Sequence, residues 1–421
     1  MQQPASIATD SAPPFSIVIK YLITAVFSFL ILNILLVLNY SDFRGHHFQP
    51  KILALTHIAT LGWITMIIFG ALFQLIPVVL QVKLFSETLA KIQFWLFTLG
   101  VFTLVYGFWF FLIDIPLTIG ASLINLAVLI FLINIIVTLT RVKEWNITAT
   151  YLTAALFYLL ITAIVGLMMA VNLGYPYFTK SHLVYIGYHV NIAVVGWITM
   201  VIMGVTFKLV PMFTLSHNFS TVNGKWAFGF INAGLIGLII LLHLPESNSY
   251  FLLSVLLIVI GIFFFLYQVF LIFKSRIRKK LDFPLRFTVT AYIFLGITTL
   301  FGFSFLFFDY SKVMSITLAY GYLLFFGFIS MLIVGQMYKI LPFLTWYHKY
   351  SKKAGLEKVP LLKEMYSEKL AGIEYYLMLT AIIGTVVSVI SDINVVLMIS
   401  FIIMLISVSL FVINMIKIII K

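Results

Sequence analysis

Charged residues are scarce in this 421-residue chain, and cysteine is absent. Charged side chains make up 9% of the sequence and hydrophobic residues 63%, with a mean hydropathy of +1.15. Soluble domains carry roughly 25% charged residues, so a chain of this length could not keep its surface in water. The lack of cysteine excludes disulfides, thiolate metal ligands and thiol redox chemistry. The lipid bilayer must therefore be the solvent of this protein.

Acidic residues number only 13, and the sequence places all of them in tails, loops or helix ends. Proton pumps usually carry a carboxylate at mid-membrane, so redox-driven proton pumping is not expected. Residues 1–14 contain no Lys or Arg. They lack the basic region of a cleaved signal peptide and predict a disordered tail on the cytoplasmic side. The net charge of +13 comes from basic loops and does not indicate a nucleic-acid partner.

Twelve apolar runs are long enough to cross about 30 Å of hydrocarbon. They predict an all-α polytopic membrane protein. The runs lie at roughly 15–39, 52–80, 91–113, 116–139, 147–172, 183–213, 226–244, 250–273, 287–308, 314–344, 372–390 and 395–419. Of the 26 Lys and Arg residues, 19 follow even-numbered runs and 4 follow odd-numbered runs. The positive-inside rule then puts both termini in the cytoplasm. We expect a multi-pass protein of a bacterial-type inner (plasma) membrane.

The three longest runs share one pattern. They read GWITMIIFGALFQLIP at 62–77, GWITMVIMGVTFKLVP at 196–211 and GFISMLIVGQMYKILP at 327–342. Four helices separate successive copies, which predicts parallel rather than inverted repeats. The expected architecture is a single membrane domain, 15–421, whose repeats span about 15–139, 147–273 and 287–419. These repeats would form three four-helix arcs around a pseudo-threefold axis.

The glycines, prolines and lysines that recur in the repeat can be explained by helix packing and by the membrane interface. The recurring glycines, eight residues apart, favour close approach of neighbouring helices, and the recurring prolines are expected to end each long helix. Lys208 and Lys339 take equivalent places one turn before those prolines, with Gln74 in the first copy. Snorkelling to the interface explains both lysines. The alternative is a basic ring around a vestibule that attracts anions.

Six of the eight histidines fall near the outer third of the predicted helices: His46, His47, His57, His182, His189 and His243. Ionisable residues inside a membrane are costly, and imidazole is a common ligand for haem iron and copper. His57 and His189 lie five and seven residues before the Gly-Trp of the first two copies. The alternative is that a backbone carbonyl satisfies each ring, and that His46, His47 and His182 are ordinary headgroup-region residues.

These features resemble the catalytic subunit I of the haem-copper oxidase superfamily, closest to the large subunit of nitric-oxide reductases. The likeness covers nearly the whole chain. It implies that His57 is an axial ligand of a low-spin haem and that His189 takes the place of the first copper or non-haem-iron ligand. His243 falls near the place of the family's His-His pair, where a second metal ligand is expected.

The tenth helix departs from that family. Where the family has His-Gly-His, this chain reads Tyr320-Gly321-Tyr322, and the Phe-Phe-Gly that follows keeps the register. Tyrosinate can hold ferric haem, so Tyr320 or Tyr322 is a candidate replacement ligand, with core packing as the alternative. The usual ligands of the binuclear centre are incomplete. Whether the protein is an enzyme therefore stays open at this point.

The sequence favours a haem-binding membrane protein, the haem type being unknown, that serves electron transfer, haem handling or a response to NO or O2. His57 and His189 lie at offsets −5 and −7 from their Gly-Trp, about 200° apart on a helix. A bis-His haem between them would therefore need a helix rotation, and a five-coordinate haem on His57 alone is equally consistent with the sequence. The alternatives are a divergent terminal oxidase or NO reductase subunit, and a non-redox assembly factor or transporter. Electrons would come from quinol or from a separate cytochrome subunit.

Overall fold

The computed structural model describes residues 11–241, 248–308 and 314–421. These residues contain twelve helices that are long and apolar enough to cross a membrane. No strand occurs within these ranges. The helices are α1 (Phe15–Leu38), α2 (Pro50–Leu80), α3 (Glu87–Trp109), α4 (Ile115–Leu139), α5 (Ile147–Gly174), α6 (His182–Thr214), α7 (Val222–Leu241), α8 (Ser249–Lys274), α9 (Phe283–Ser304), α10 (Ile316–Tyr350), α11 (Glu368–Ile390) and α12 (Asn394–Ile420). The prediction of an all-α polytopic membrane protein is confirmed.

Contacts between residues divide the chain into two compact units. One comprises Met1–Leu22 and Thr65–Lys279, and the other comprises Ile23–Ile64 and Lys280–Lys421. In the first unit α3 packs on α4, α5 on α6, and α7 on α8. In the second unit α9 packs on α10, and α11 on α12. The arrangement of the repeats around a common axis stays a prediction.

The three longest helices, α2, α6 and α10, each contain an eight-residue π-helical segment. The recurring glycine of the sequence pattern is the fifth residue of every segment. The segments are Ile58–Thr65, Ile192–Thr199 and Leu323–Ser330. π-Helices are rare and are frequently found at functional sites. The local backbone therefore repeats at the three places where the sequence repeats, in a form that the sequence pattern did not predict.

Glycine allows close contact between the first two helices of each repeat, as expected. A Cβ atom added at Gly70 would lie 2.7 Å from Cβ of Tyr21 on α1, and one at Gly204 would lie 2.9 Å from Cβ of Tyr151 on α5. The third repeat continues the pattern, since a Cβ at Gly335 would lie 2.7 Å from Cβ of Phe287. Real Cβ contacts are longer, so only glycine fits at these positions without movement of the helices.

Replacing Gly335 by alanine should destabilise the protein, whereas replacing Gly321 on the same helix should not. The new Cβ at Gly335 would also meet the backbone carbonyl of Pro284 at 2.8 Å, while Gly321 has nothing within 4 Å. We expect Gly335→Ala to cost about 1–3 kcal/mol through overpacking. Gly321→Ala should be neutral, or stabilising by up to about 1 kcal/mol through helix propensity. Unfolding of both variants in mixed micelles, followed by circular dichroism, measures the difference; equal stabilities would contradict the packing argument.

The recurring prolines lie inside the helices rather than at their ends, contrary to expectation. After Pro77 and Pro211 the helices run three residues further and stop at Gln81 and Leu215, both left-handed, with φ of 54° and 53°. In α10 the helix continues from Pro342 to its last residue, eight positions on. A proline removes one backbone donor but does not by itself force the chain out of the helix near its end. The left-handed residue is what ends α2 and α6.

Candidate cofactor site

The residue at offset −5 from the recurring glycine lies at the junction between α- and π-helix in every repeat. The last α-helical residue before the π segment is His57 in α2, Asn191 in α6 and Tyr322 in α10. The three side chains are chemically unlike although their backbone positions are equivalent. The scaffold therefore accepts an amide or a phenol at this junction and does not itself require an imidazole.

His57 is half-buried, and its ring is oriented by its own helix. Nδ1 lies 2.7 Å from the carbonyl oxygen of Leu53, one turn earlier. A carbonyl only accepts hydrogen bonds, so the proton of the neutral ring sits on Nδ1 and the lone pair on Nε2. The same bond would satisfy a purely structural histidine. It also matches the arrangement by which metal-ligating histidines are held in one tautomer.

His189 and Tyr320 occupy the equivalent position at offset −7, and each ring packs against a glycine of the preceding helix. A Cβ at Gly166 on α5 would lie 3.1 Å from Cε1 of His189, and a Cβ at Gly302 on α9 would lie 3.0 Å from the Tyr320 hydroxyl. The ring of Tyr320 also makes edge contacts with the aromatic side chains of α9. The second and third repeats thus use the same ring-on-glycine packing with different rings. This packing gives His189 a structural role that does not depend on a metal.

Tyr322 lies on the side of α10 opposite Tyr320. Its ring is 3% exposed, stacks on Phe326 at 4.3 Å and meets the edges or faces of Phe43 and Phe401 at 5.9 and 6.0 Å. The two tyrosines are therefore not brought together on one ligand, as expected for residues about 200° apart. An environment of apolar rings stabilises the neutral phenol rather than the tyrosinate.

The remaining histidines lie in local clusters. The rings of His46 and His47 stack at 4.3 Å, and burial together with the neighbouring His46 lowers the pKa of His47. Nδ1 of His182 lies 3.2 Å from the side-chain nitrogen of Asn172. The interpretation of all three as headgroup-region residues stays a prediction. His243, the expected ligand of a second metal, lies outside the described residues.

No group of three His, Asp or Glu side chains in residues 11–241, 248–308 and 314–421 is placed to hold a metal ion. Of the two metal ligands predicted from the sequence, His189 and His243, only His189 lies among the described residues. Stable transition-metal sites in proteins usually bring together three or four such ligands. The described residues do not supply them.

The two lysines equivalent in the repeat differ in their surroundings. Lys339 donates to the carboxylate of Asp282 at 2.5 Å, and the two side chains are 16% and 14% exposed. Lys208 is exposed and lines a small cleft whose other side chains are apolar apart from Thr148. Since Asp282 neutralises Lys339, the two lysines do not act as a simple basic ring.

Sequence reasoning missed the buried carboxyl of Glu374. The predicted span began at 372, which placed Glu374 at a helix end. In the structure α11 begins at Glu368 because Ser367 caps it, the serine oxygen accepting from the backbone N–H of Leu370. Glu374 consequently lies in the second turn and is 1% exposed. The available signal was the serine itself, a preferred N-cap residue, five positions before the predicted span.

Comparison with known proteins adds no functional information. No model of a known protein family matches the chain. A comparison with curated protein sequences likewise gives no significant match.

Proposed function

We propose that this protein binds haem in the membrane with His57 as an axial ligand, and that it serves electron transfer, haem handling or a response to a diatomic gas. The observation that carries the proposal is the hydrogen bond from Nδ1 of His57 to the carbonyl of Leu53, at 2.7 Å. This bond directs the lone pair to Nε2, the nitrogen that would bind iron. It also holds the ring against rotation.

The internal repeat supports a role for His57 beyond packing. Asn191 and Tyr322 stand at the same junction of α- and π-helix in the other two repeats. Placing an imidazole in an apolar helix costs free energy, and the other two repeats form the same junction without one. A ligand for His57 would account for the choice of histidine at this one position.

The residues fit a haem with one protein ligand better than they fit the full centre of a haem-copper oxidase. The described residues offer no three-ligand metal group, and the ring of Tyr322 is packed among apolar rings. A divergent terminal oxidase or NO reductase would need a second metal, for which His189 is the one predicted ligand among the described residues. The single-ligand arrangement is therefore the one we propose.

Haem iron, when bound, would supply one-electron redox chemistry or a binding site for a diatomic gas. The chain would contribute the imidazole of His57, oriented by its bond to Leu53 and carried on an apolar helix. Electrons would come from a membrane quinol or a separate cytochrome.

The test is the absorption spectrum of the detergent-purified protein from a haem-replete host, recorded oxidised and after dithionite reduction. The proposal expects a Soret band at near one haem per chain. Carbon monoxide added to the reduced protein should then shift that band, because a haem with a single protein ligand keeps an open position. A folded, monodisperse protein without a Soret band would refute the proposal. It would favour a non-redox assembly factor or transporter on the same scaffold.

A further inference from the structure

Glu374 is a buried acid that the proposed haem site does not use. It lies on α11, and its Oε2 accepts a hydrogen bond from the hydroxyl of Tyr338 on α10 at 2.5 Å. That hydroxyl in turn accepts from Nδ2 of Asn414 on α12 at 2.9 Å. Oε1 has no hydrogen-bond partner among the described residues. One oxygen of the carboxyl is thus satisfied and the other is not.

No cation faces this carboxyl within the described part of the chain. Glu374 forms no ion pair there, and Lys339, the residue after Tyr338, is engaged with Asp282. The groups that face Glu374 from neighbouring elements are neutral: Tyr338 from α10, Asn414 from α12, and the phenol of Tyr366, whose ring lies 4.9 Å from that of Tyr338. A charged carboxylate buried without a cation is strongly disfavoured.

The first repeat contains the same local scaffold. Ser86 before α3 and Ser367 before α11 each donate their backbone N–H to the side-chain oxygen of an asparagine at 3.0 Å. The asparagines are Asn134 on α4 and Asn414 on α12. Each also donates back to the carbonyl of its serine, at 2.8 and 3.3 Å respectively. The two helical hairpins are therefore joined by the same pair of hydrogen bonds.

At the position seven residues after the capping serine, the first repeat has Gln93 where the third has Glu374. Both side chains are fully buried. Gln93 accepts from the hydroxyl of Tyr21, as Glu374 accepts from Tyr338. An amide thus fills the structural role in the first repeat. The feature that a carboxyl adds in the third repeat is the ability to bind and release a proton.

We propose that Glu374 is a proton-binding site inside the membrane domain. In the bound state the proton sits on Oε1, and Oε2 accepts from Tyr338. Release breaks the O–H bond and passes the proton to water, which leaves a carboxylate held by the Tyr338 hydroxyl. The site is independent of the haem proposal, because none of its groups is a candidate haem ligand.

Infrared difference spectroscopy of the full-length protein in lipid vesicles tests this site, since a protonated carboxyl has a C=O stretching band that a carboxylate lacks. We expect a band at neutral pH that shifts in D2O and disappears as the pH is raised. Labelling with 13C-glutamate should shift it, which assigns the band to a glutamate rather than an aspartate. Glu374→Gln, which reproduces the first repeat, should lose it entirely. Tyr338→Phe should keep the band at an altered frequency.

Three results would overturn the proposal. Absence of the band at every pH would mean that the carboxyl is permanently ionised. A band that responds neither to pH nor to D2O would mean a neutral acid with a structural role only. A band that persists unchanged in Glu374→Gln would belong to another residue. Because none of these measurements needs haem, a failure here is distinguishable from a failure of the proposed function.

Discussion

Replacing His57 by alanine is expected to abolish haem binding, reducing the Soret absorbance per protein to background. The imidazole would supply the protein's bond to iron, and its ring is fixed by the 2.7 Å contact with Leu53. Without it the haem would be held by apolar contacts alone. Added imidazole should restore part of the band by occupying the vacated space. Quantification of haem per chain before and after purification measures the effect.

Two substitutions separate ligation from folding. His57→Asn introduces the residue that the second repeat has at the same junction, so the fold should be kept while haem is lost. His182→Ala, at the beginning of α6, removes a histidine whose ring contacts Asn172 and Phe178 and should leave the spectrum unchanged. A Soret band of wild-type intensity in His57→Asn would contradict the assignment. Loss of the band in His189→Ala as well would point to two histidine ligands instead of one.

Lys339→Met is expected to lower the free energy of unfolding by about 3 kcal/mol, the order of magnitude for breaking a buried ion pair by removing one partner. The carboxylate of Asp282 is 14% exposed and accepts from Lys339 at 2.5 Å. Removal of the ammonium takes this ion pair away from a largely buried carboxylate. Unfolding in mixed micelles of increasing SDS fraction gives the difference between the variant and the wild type.

The matching control is the removal of the carboxylate charge. Asp282 also caps α9 by accepting from the backbone N–H of Leu285, and asparagine caps a helix equally well. Indeed, Asn146 caps α5 at the equivalent place in the second repeat. Asp282→Asn in the Lys339→Met background should therefore recover most of the lost stability. If the double variant is as unstable as Lys339→Met, the loss comes from packing of the lysine stem and not from the unpaired charge.

Hydropathy located all twelve helices, because an apolar run of the length of the bilayer has few other interpretations. The hydropathy average missed the first turn of several helices. The predicted starts at 91, 287 and 372 are four residues late for α3, α9 and α11, which begin at Glu87, Phe283 and Glu368. Each of those first turns contains a charged residue and is held by an N-cap: Ser86, Asp282 and Ser367 respectively. Capping is a local hydrogen-bond effect to which a hydropathy average is insensitive.

The candidate site was predictable in its residues and not in its contacts. His57 stood out because a histidine in an apolar helix is rare, and its bond to Leu53 follows from helical spacing. The π-helical segments had no recognised signal in the sequence. The pairing of Lys339 with Asp282, 57 positions apart, and of Glu374 with Tyr338 depends on which helices are neighbours. Spacing along one helix cannot supply that information.

The tyrosine that reaches Gln93 or Glu374 has changed helices between repeats. The first repeat pairs the rings of Tyr21 and Phe73 at 5.5 Å, whereas the third pairs Phe287 and Tyr338 at 6.5 Å. If the repeats descend from one ancestral unit, this exchange took two mutations. The intermediate carried either two hydroxyls or none. A lineage with two hydroxyls kept a donor for the buried acceptor throughout. A lineage with no hydroxyl passed through a stage in which a buried polar group was unsatisfied. The order in which the hydroxyls were gained and lost was therefore constrained.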